Sequence, residues 1–380
     1  MKSKLVKFLS VIAVVAFLVS CAPTATVAPK AAETTAPAAP AATAAPAKKG
    51  PTLVGLAMPG LVGGQEWVIQ FVQQEVEKRG WKLITTNSGG NPQKQNDDID
   101  FLISMGVIAI VNNPDDSSAI CTAINKAHAA KIPFGTLDRS PMGCAADIVV
   151  QSDNRMAGKQ GGELMVAALK EKYGTEKGKV LEITGNIAQD VGQMRRDGFH
   201  DAVDKFPNIT VIQKIGDWDA TKGQQIVRDV LNANPDLDGI YMHSEVVYGA
   251  GTQAVLEELG RWKHRGEPGH IALTGVDGGP WMLKSVWDGY AEGTGNQPSR
   301  YFNIVVEMLE KIVKEGPLKE GQYVKEGVFW SPAVLKKNAD GSMVMMLATL
   351  KSSIDNITDP VVWSYHYPDL VPPAGSPWKK

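Results

Sequence analysis

The chain has 380 residues, and its 39 lysines and arginines nearly balance its 41 aspartates and glutamates, for a formal net charge of −2. Positive charge is not gathered into a stripe, which argues against a nucleic-acid partner. A chain of this length exceeds one typical domain, so at least two similar units are the economical interpretation.

The N-terminus predicts export. Three lysines within the first seven residues precede an apolar run over 8–19. That run is shorter than the roughly 20 residues that a membrane span needs, and it is typical of a secretory signal. It ends in Leu18-Val19-Ser20-Cys21, which resembles the lipobox of bacterial lipoproteins, where the cysteine is lipidated and the chain is cut before it. We therefore expect a signal over residues 1–20 and a lipid on Cys21; an ordinary signal with a chance cysteine is the alternative.

Residues 21–50 are dominated by alanine, threonine and proline and contain no aromatic residue. Such a segment buries too little apolar surface to offset the entropy of ordering, so it predicts a flexible tether. The protein is then expected outside the cytoplasm, in the periplasm or on the cell surface, with a membrane anchor at Cys21. In that oxidising location Cys121 and Cys144 are expected to form a disulfide, with two free buried thiols as the alternative.

The body of the chain alternates short apolar runs with amphipathic stretches. This repeated pattern of strand and helix predicts parallel sheets covered by helices on both faces. The predicted strands are 53–58, 81–86, 107–112, 133–137, 180–183, 209–215, 239–242 and 271–276. The predicted helices are 66–79, 91–105, 117–130, 191–206, 221–234, 247–259 and 280–288. In helix 66–79 one face carries Val68, Phe71, Val72 and Val76.

Nothing in the sequence requires catalysis. Gly55 and Gly60 have the spacing of a phosphate-binding loop, but Leu61 stands where that loop needs lysine, and the hydroxyl for magnesium is missing. No G-x-S-x-G or H-E-x-x-H motif is present, and the six histidines are scattered. We expect no enzyme activity, no cofactor and no metal.

Polar and aromatic side chains recur just after the predicted strands, where open α/β sheets bind ligands. Carboxylates, amides and arginine match the donors and acceptors of a neutral polyhydroxylated ligand, and an indole face covers the C–H patch of a sugar ring. The candidates are Gln65, Glu66, Trp67, Asp138, Arg139, Asp190, Arg195, Trp218, Ser244, Asp277 and Asn296. Each has an alternative: Asp190 could cap a helix, Trp67 could belong to the core, and Arg195 could pair with a surface acid.

Several of these residues lie in motifs that resemble the ribose- and galactose/glucose-binding proteins of bacterial ABC sugar importers. The motifs are IPFGTLDRS, QSDNRMAG, MRRDGF, GDWDATKG, GVDGG and NQPSR. The resemblance covers about residues 53–326. It implies a type I periplasmic-binding-protein fold, with two doubly wound parallel-sheet lobes joined by a hinge of three crossings.

The resemblance also implies roles. Asp138 of the L-D-R motif would bond sugar hydroxyls, Trp218 would stack on the sugar, and Asp277 would belong to the G-[FV]-D-G turn. Arg195 matches the arginine three residues before the G-F pair, and Asn296 takes an amide position. Gln65 and Trp67 fall in the first loop, where the family's N-P-F is absent, and Ser244 replaces a common asparagine.

These features predict a monomeric binding protein that captures a monosaccharide and delivers it to an ABC permease. Trp218 and Asn296 resemble the glucose/galactose members of the family more than the ribose members, which implies an aldohexose such as glucose or galactose; pentoses, polyols and inositols remain open. A sugar-sensing receptor subunit, a transcription regulator and a glycoside-cleaving enzyme are the rival functions. The predicted lobes are 51–152 with 297–324 and 153–296 with 325–345, followed by an extension over 346–380. The predicted crossings lie near Ser152-Asp153, Asn296-Gln297 and Lys325.

Overall fold

A computed structural model describes residues 50–60, 65–298, 301–359 and 361–362. The predicted signal, Cys21, the predicted tether up to residue 49 and the residues beyond Val362 lie outside this part of the chain. The described residues belong to one compact unit. Among the described residues, no helix combines the length and the apolar character needed to cross a membrane.

Strands alternate with helices through most of the described chain. The strands are β1 (Leu53–Met58), β2 (Lys82–Asn87), β3 (Ile110–Asn112), β4 (Phe134–Leu137), β5 (Ile148–Ser152), β6 (Gly178–Thr184), β7 (Ile209–Ile215), β8 (Gly239–Met242), β9 (Ala272–Asp277), β10 (Gly293–Asn296), β11 (Gly321–Tyr323), β12 (Ala333–Lys337), β13 (Met343–Leu347) and β14 (Leu350–Ser353). The helices are α1 (Gln65–Glu77), α2 (Pro92–Ser104), α3 (Cys121–Ala129), α4 (Asn154–Tyr173), α5 (Asp190–Val203), α6 (Ala220–Ala233), α7 (Glu245–Glu258), α8 (Pro280–Trp287) and α9 (Phe302–Glu315).

The strands form two sheets. Their orders are β11-β12-β13-β5-β4-β3-β1-β2 in the first lobe and β14-β10-β9-β8-β6-β7 in the second. Each sheet contains five consecutive parallel strands in the same relative order, β2-β1-β3-β4-β5 and β7-β6-β8-β9-β10. The prediction of two α/β lobes is therefore confirmed, and the carboxyl ends of both sets of parallel strands are the places to look for a ligand site.

Both sheets are extended by strands from the C-terminal part of the chain, and some of these run antiparallel. β13 pairs in parallel with β5, whereas β12 and β11 continue the sheet antiparallel. β14 pairs antiparallel with β10 in the second lobe. The assignment of residues 325–345 to the second lobe was wrong, because β12 and most of β13 lie in the first sheet. Residues 346–353 are likewise built into both sheets rather than forming a separate extension.

Three crossings connect the lobes, and two lie where they were expected. The first follows β5 at Asp153 and the second follows β10 at Gln297. The third is at 348–349, between β13 and β14, and not at Lys325, because the chain first completes two more strands of the first sheet. The crossings contact one another: the Asp153 N–H donates to the Leu347 carbonyl at 2.8 Å.

Close packing of α4 against α5 positions the second lobe's site residues. A Cβ on Gly158 would lie 2.2 Å from the Arg195 carbonyl oxygen, and one on Gly198 would lie 1.9 Å from the Arg155 carbonyl oxygen. Both positions therefore need glycine if the helices are to approach this closely. As a result, α5 holds Arg195 close to the N-terminus of α4.

The first lobe contains a disulfide between Cys121 and Cys144, the pair expected from the sequence. It ties the first residue of α3 to the loop that follows Asp138 and Arg139. The same loop carries Ser140, which contacts the second lobe.

Candidate functional site

A cavity of about 90 Å³ lies between the carboxyl ends of the two parallel sheets. Eight of the predicted ligand residues line it, four from each lobe. They are Gln65, Trp67, Asp138, Arg139, Arg195, Trp218, Ser244 and Asp277. The remaining lining residues are Val68, Val191, Val246, Val247, Gln297, Pro298, Tyr301 and Phe302.

An ion pair between Arg195 and Asp277 forms the polar centre of the second lobe's wall. Arg195 Nη1 lies 3.1 Å from Asp277 Oδ1, and both side chains are largely buried. The guanidinium also donates through Nε to Asn154 Oδ1 at 2.8 Å and through Nη1 to the carbonyl of His243. The helix α5, the start of α4 and the end of β8 therefore hold Arg195 in one orientation.

Asp277 lies at the end of β9 with a φ of 123°, a value that non-glycine residues rarely adopt. Ser244, the N-cap of α7, donates its hydroxyl to Asp277 Oδ2 at 2.5 Å. Burial raises the pKa of Asp277 to about 6, while Arg195 and the Ser244 hydroxyl oppose that rise.

Glu245 fixes the turn that carries Asp277. Its carboxyl group is fully buried and accepts hydrogen bonds from the N–H groups of Gly278 and Gly279. Burial, together with the nearby charge of Asp277, raises the pKa of Glu245 well above its usual range. Glu245 thus supports the site from behind without lining the cavity.

Trp218 provides a half-buried aromatic surface in the second lobe. Asp217 and Trp218 both have positive φ values, 55° and 58°, in the tight turn after β7. The Tyr248 hydroxyl accepts the Trp218 N–H at 2.8 Å and donates to the Thr184 carbonyl at 3.0 Å. The indole lies over Gly185, where a Cβ would be 1.9 Å from the ring, and the Arg195 guanidinium carbon is 5.6 Å from the ring centroid.

The first lobe's wall is built around Asp138, which follows β4 with a φ of 67°. Its Oδ1 accepts from the Tyr301 hydroxyl at 3.1 Å, and its Oδ2 lies 3.4 Å from Asn113 Nδ2 and 3.8 Å from Arg139 Nε. Asn113 Nδ2 also donates to Gln65 Oε1 at 2.9 Å. Arg139 donates to the Pro114 carbonyl at 2.7 Å, and burial lowers its pKa.

Asp190 does not line the cavity, contrary to the prediction. It lies between the lobes, where its Oδ2 accepts the Ser140 N–H at 2.9 Å. Its own N–H donates to Ser117 Oγ at 3.1 Å, and the Ser117 N–H donates to the Ala188 carbonyl at 3.4 Å. Burial is the main reason that the pKa of Asp190 rises to about 6. These contacts join the two lobes, so the protein is in a closed form.

Two further predicted ligand residues lie outside the cavity. Glu66 is exposed, because its position in the first turn of α1 directs it to solvent while Gln65 and Trp67 face the cleft. Asn296 is fully buried at the end of β10, with its amide only 2.1 Å from where a Cβ on Gly278 would lie. Asn296 therefore packs under the Asp277 turn instead of facing the ligand space.

The apolar half of the cavity was not predicted from the sequence. Val246 of the second lobe packs with Phe71, Trp67 and Phe302 of the first lobe. Tyr301 and Phe302, at the start of α9, follow the crossing at Gln297. Tyr301 and Phe302 directly follow the NQPSR motif, and this position could have identified them as site residues. Helix α9 was not predicted.

The family model that describes a periplasmic binding protein domain matches residues 54–317. The chain belongs to the periplasmic binding protein family. A ribose import binding protein of Bacillus subtilis is 30% identical over 243 residues, which cover 64% of this chain and 75% of that protein. The galactofuranose-binding protein YtfQ of Escherichia coli is 27% identical over 305 residues, covering 76% and 91%.

A solved ABC transporter solute-binding protein from Mycobacterium smegmatis, with bound glycerol, superposes on this periplasmic binding protein with a TM-score of 0.64. It is 27% identical, and the match covers 71% of this chain and 91% of that structure. The resemblance inferred from the motifs is thus confirmed, and so is the prediction of a binding protein rather than an enzyme. Lipidation of Cys21 and the exact ligand contacts stay predictions.

Proposed function

We propose that this periplasmic binding protein captures one neutral monosaccharide in the cavity between its lobes and delivers it to an ABC transporter permease. The observation that carries the proposal is the Arg195–Asp277 ion pair beside the Trp218 indole. It offers a strong donor, a strong acceptor and an apolar ring face within one small cavity. A polyhydroxylated ring presents the complementary groups.

The charges of the cavity favour an uncharged ligand. Arg195 is paired with Asp277, and Arg139 lies beside Asp138. A sugar phosphate would bring negative charge against two carboxylates, whereas both arginines already have acidic neighbours. A neutral sugar can instead insert hydroxyls that donate to the carboxylates and accept from the guanidinium groups.

Among monosaccharides, an aldohexose such as glucose or galactose is our first assignment, because Trp218 supplies a broad stacking surface. A five-carbon sugar is the second candidate, favoured by the small cavity and by relatives that are named for ribose and D-apiose import. The galactofuranose-binding relative makes a furanose ring a candidate beside a pyranose ring.

We infer that the protein exchanges between open and closed forms and that ligand binding shifts this equilibrium towards the closed form. The contacts of Asp190 with Ser117 and Ser140 join the lobes on one side, and the apolar contacts of Val246 join them on another. The three adjacent crossings can act as a hinge between such a closed form and an open one. We also propose that a monomer is the working unit and that a lipid on Cys21 holds it at the membrane.

The test is a thermal-shift comparison of neutral sugars with their phosphates, using residues 50–380. A ligand that binds the folded state alone raises Tm by an amount that grows with the logarithm of its concentration over Kd. We expect one neutral sugar among D-glucose, D-galactose, D-ribose and D-xylose to raise Tm, and its phosphate ester to have no effect. A shift with the phosphate ester alone would overturn the assignment of a neutral ligand.

A further inference from the structure

The side chain of Gln189 connects a residue of the cavity to the opposite lobe. Its Oε1 accepts a hydrogen bond from Trp218 Nε1 at 2.6 Å, and its Nε2 donates to the Asp115 carbonyl at 2.7 Å. Trp218 belongs to the second lobe and Asp115 to the first. Gln189 is 4% exposed and does not line the cavity, so it cannot touch a ligand directly.

The orientation of this amide is fixed by its two partners. The indole nitrogen can only donate, and a backbone carbonyl can only accept. The oxygen of Gln189 must therefore face Trp218, and its nitrogen must face Asp115. If the indole turns away, the amide loses the partner that holds it ready to donate across the cleft.

We propose that Gln189 is a positioning residue that couples the ligand-facing indole of Trp218 to closure of the two lobes. This inference rests on the proposed function, because it takes Trp218 to be the surface on which a sugar stacks. A sugar on the indole face holds the ring with its N–H directed at Gln189. The amide is then oriented for the Asp115 carbonyl, which lies within reach when the lobes are closed.

The neighbouring contacts allow the coupling to be isolated. The turn of Trp218 is held separately by the Tyr248 hydroxyl, so loss of Gln189 removes one support of the indole and leaves its backbone in place. Asp190, the next residue, joins the lobes through Ser117 and Ser140 without a hydrogen bond to the indole. Closure can therefore weaken at Gln189 while the rest of the interlobe contact remains.

Three variants separate the two hydrogen bonds. Gln189→Glu keeps an oxygen for the indole but loses the donor to Asp115. Trp218→Phe keeps an aromatic face but loses the indole N–H. Gln189→Met removes both bonds at similar side-chain length. Gln193→Met is the matched control, because Gln193 lies in the first turn of α5, whose N-cap is Gln189, and its exposed amide donates to the Ile187 carbonyl at 2.9 Å.

The experiment measures Kd and the dissociation rate for the tightest binder among D-glucose, D-galactose, D-ribose, D-xylose and myo-inositol. Because the two buried hydrogen bonds act in series, loss of either one or of both breaks the same connection. Gln189→Met, Gln189→Glu and Trp218→Phe should therefore each weaken binding about tenfold, mainly through faster release. The double variant Gln189→Met/Trp218→Phe should lose less than the product of the single effects, because both changes break the same connection. The proposal would be overturned if the losses of affinity in the double variant were the full product of the single losses. It would also be overturned if Gln189→Met had the same Kd and dissociation rate as Gln193→Met.

A sugar-free measurement keeps this test separate from that of the proposed function. Small-angle scattering of residues 50–380 should show a larger radius of gyration for Gln189→Met than for the wild type, and no change for Gln193→Met. If the wild type binds none of the five compounds, the proposed function fails, and the scattering result still decides the role of Gln189. An unchanged radius for Gln189→Met would overturn the coupling.

Discussion

Arg195 of α5 and Asp277 at the end of β9 lie far apart in the chain, yet their side chains meet at 3.1 Å in the wall of the cavity. The pair is surrounded by contacts that hold it in place: Asn154 and the His243 carbonyl bind the guanidinium, and Ser244 binds the carboxylate. Because these contacts fix the pair, a sugar would meet a prearranged donor and acceptor rather than having to assemble them.

Replacing Arg195 by Ala should destabilise the protein strongly. Breaking a buried ion pair leaves the partner charge uncompensated, which typically costs about 3–5 kcal/mol. Urea unfolding of the ligand-free protein measures the effect. Arg155→Ala is the control, because Arg155 pairs with Asp201 at 2.7 Å on the surface, and we expect it to change the unfolding midpoint little. Equal effects of the two changes would show that the Arg195 pair is not buried as described.

Gly185→Ala should remove ligand binding while the fold survives. A Cβ at this position would lie 1.9 Å from the Trp218 ring, so the indole must leave its place in the cavity wall. We expect at least a tenfold loss of sugar affinity by calorimetry, with the far-UV circular dichroism spectrum retained. The control is Gly321→Ala in β11, where a Cβ meets no atom within 4 Å. Wild-type affinity in Gly185→Ala would exclude Trp218 as a ligand surface.

The stability of the closed protein should fall as pH rises from about 4 to about 7. The pKa of Asp190 is raised from its ordinary 3.8 to about 6, so its contribution is fully present below the ordinary value and is lost as pH rises through about 6. Asp115 and Asp277, whose pKa values burial also raises to about 6, act in the same direction.

Asp190→Asn should flatten part of this dependence, by at most about 3 kcal/mol, because one pKa unit corresponds to about 1.4 kcal/mol. Unfolding free energies at pH 4.5, 5.5 and 6.5 measure the slope for wild type and variant. A variant slope identical to that of the wild type would mean that Asp190 is not buried between the lobes.

Loss of the disulfide should lower stability and weaken ligand binding modestly. Cys121 and Cys144 close a loop with a sequence separation of 23 residues, for which the chain-entropy estimate is about 3 kcal/mol. The bond also holds the loop with Ser140 near Asp190. We expect the double variant Cys121→Ser/Cys144→Ser to unfold at lower urea concentration. An unchanged midpoint would indicate that the bond does not constrain the unfolded chain.

Local patterns predicted the repeating α/β units and most of the polar cavity. Val68, Phe71, Val72 and Val76 of α1 are buried as the helical period required. Asp138, Arg139, Trp218, Ser244 and Asp277 lie at or just after the ends of strands. Arg195 lies in the second turn of α5, and topology brings all six together. The position of these residues along the chain was sufficient to predict that they line one site, because parallel strands end on the same edge of a sheet.

Some elements and contacts could not be predicted, because they depend on residues that are distant in the sequence or on weak local patterns. Helix α4 was not predicted, because its buried face combines Ala157, Met165 and Leu169 with polar residues and glycines, so its apolar pattern is weak in the sequence. β13 pairs with β5 almost 200 residues earlier, so its lobe could not be inferred from neighbouring residues. Asp190 follows a strand like the true lining residues, but the closed lobes bury it against Ser117 and Ser140.

The most direct test of the central claim is calorimetric titration of residues 50–380, freed of ligand by unfolding and refolding, with D-glucose, D-galactose, D-ribose, D-xylose and myo-inositol. We predict one-to-one binding of at least one of these compounds with micromolar or tighter Kd, on the scale of about −8 kcal/mol. Asp277→Ala should bind that compound at least a hundredfold more weakly, because Arg195 loses its partner and the sugar loses an acceptor. Absence of heat with all five compounds, or unchanged affinity in Asp277→Ala, would contradict the proposal of a sugar site around the Arg195–Asp277 pair.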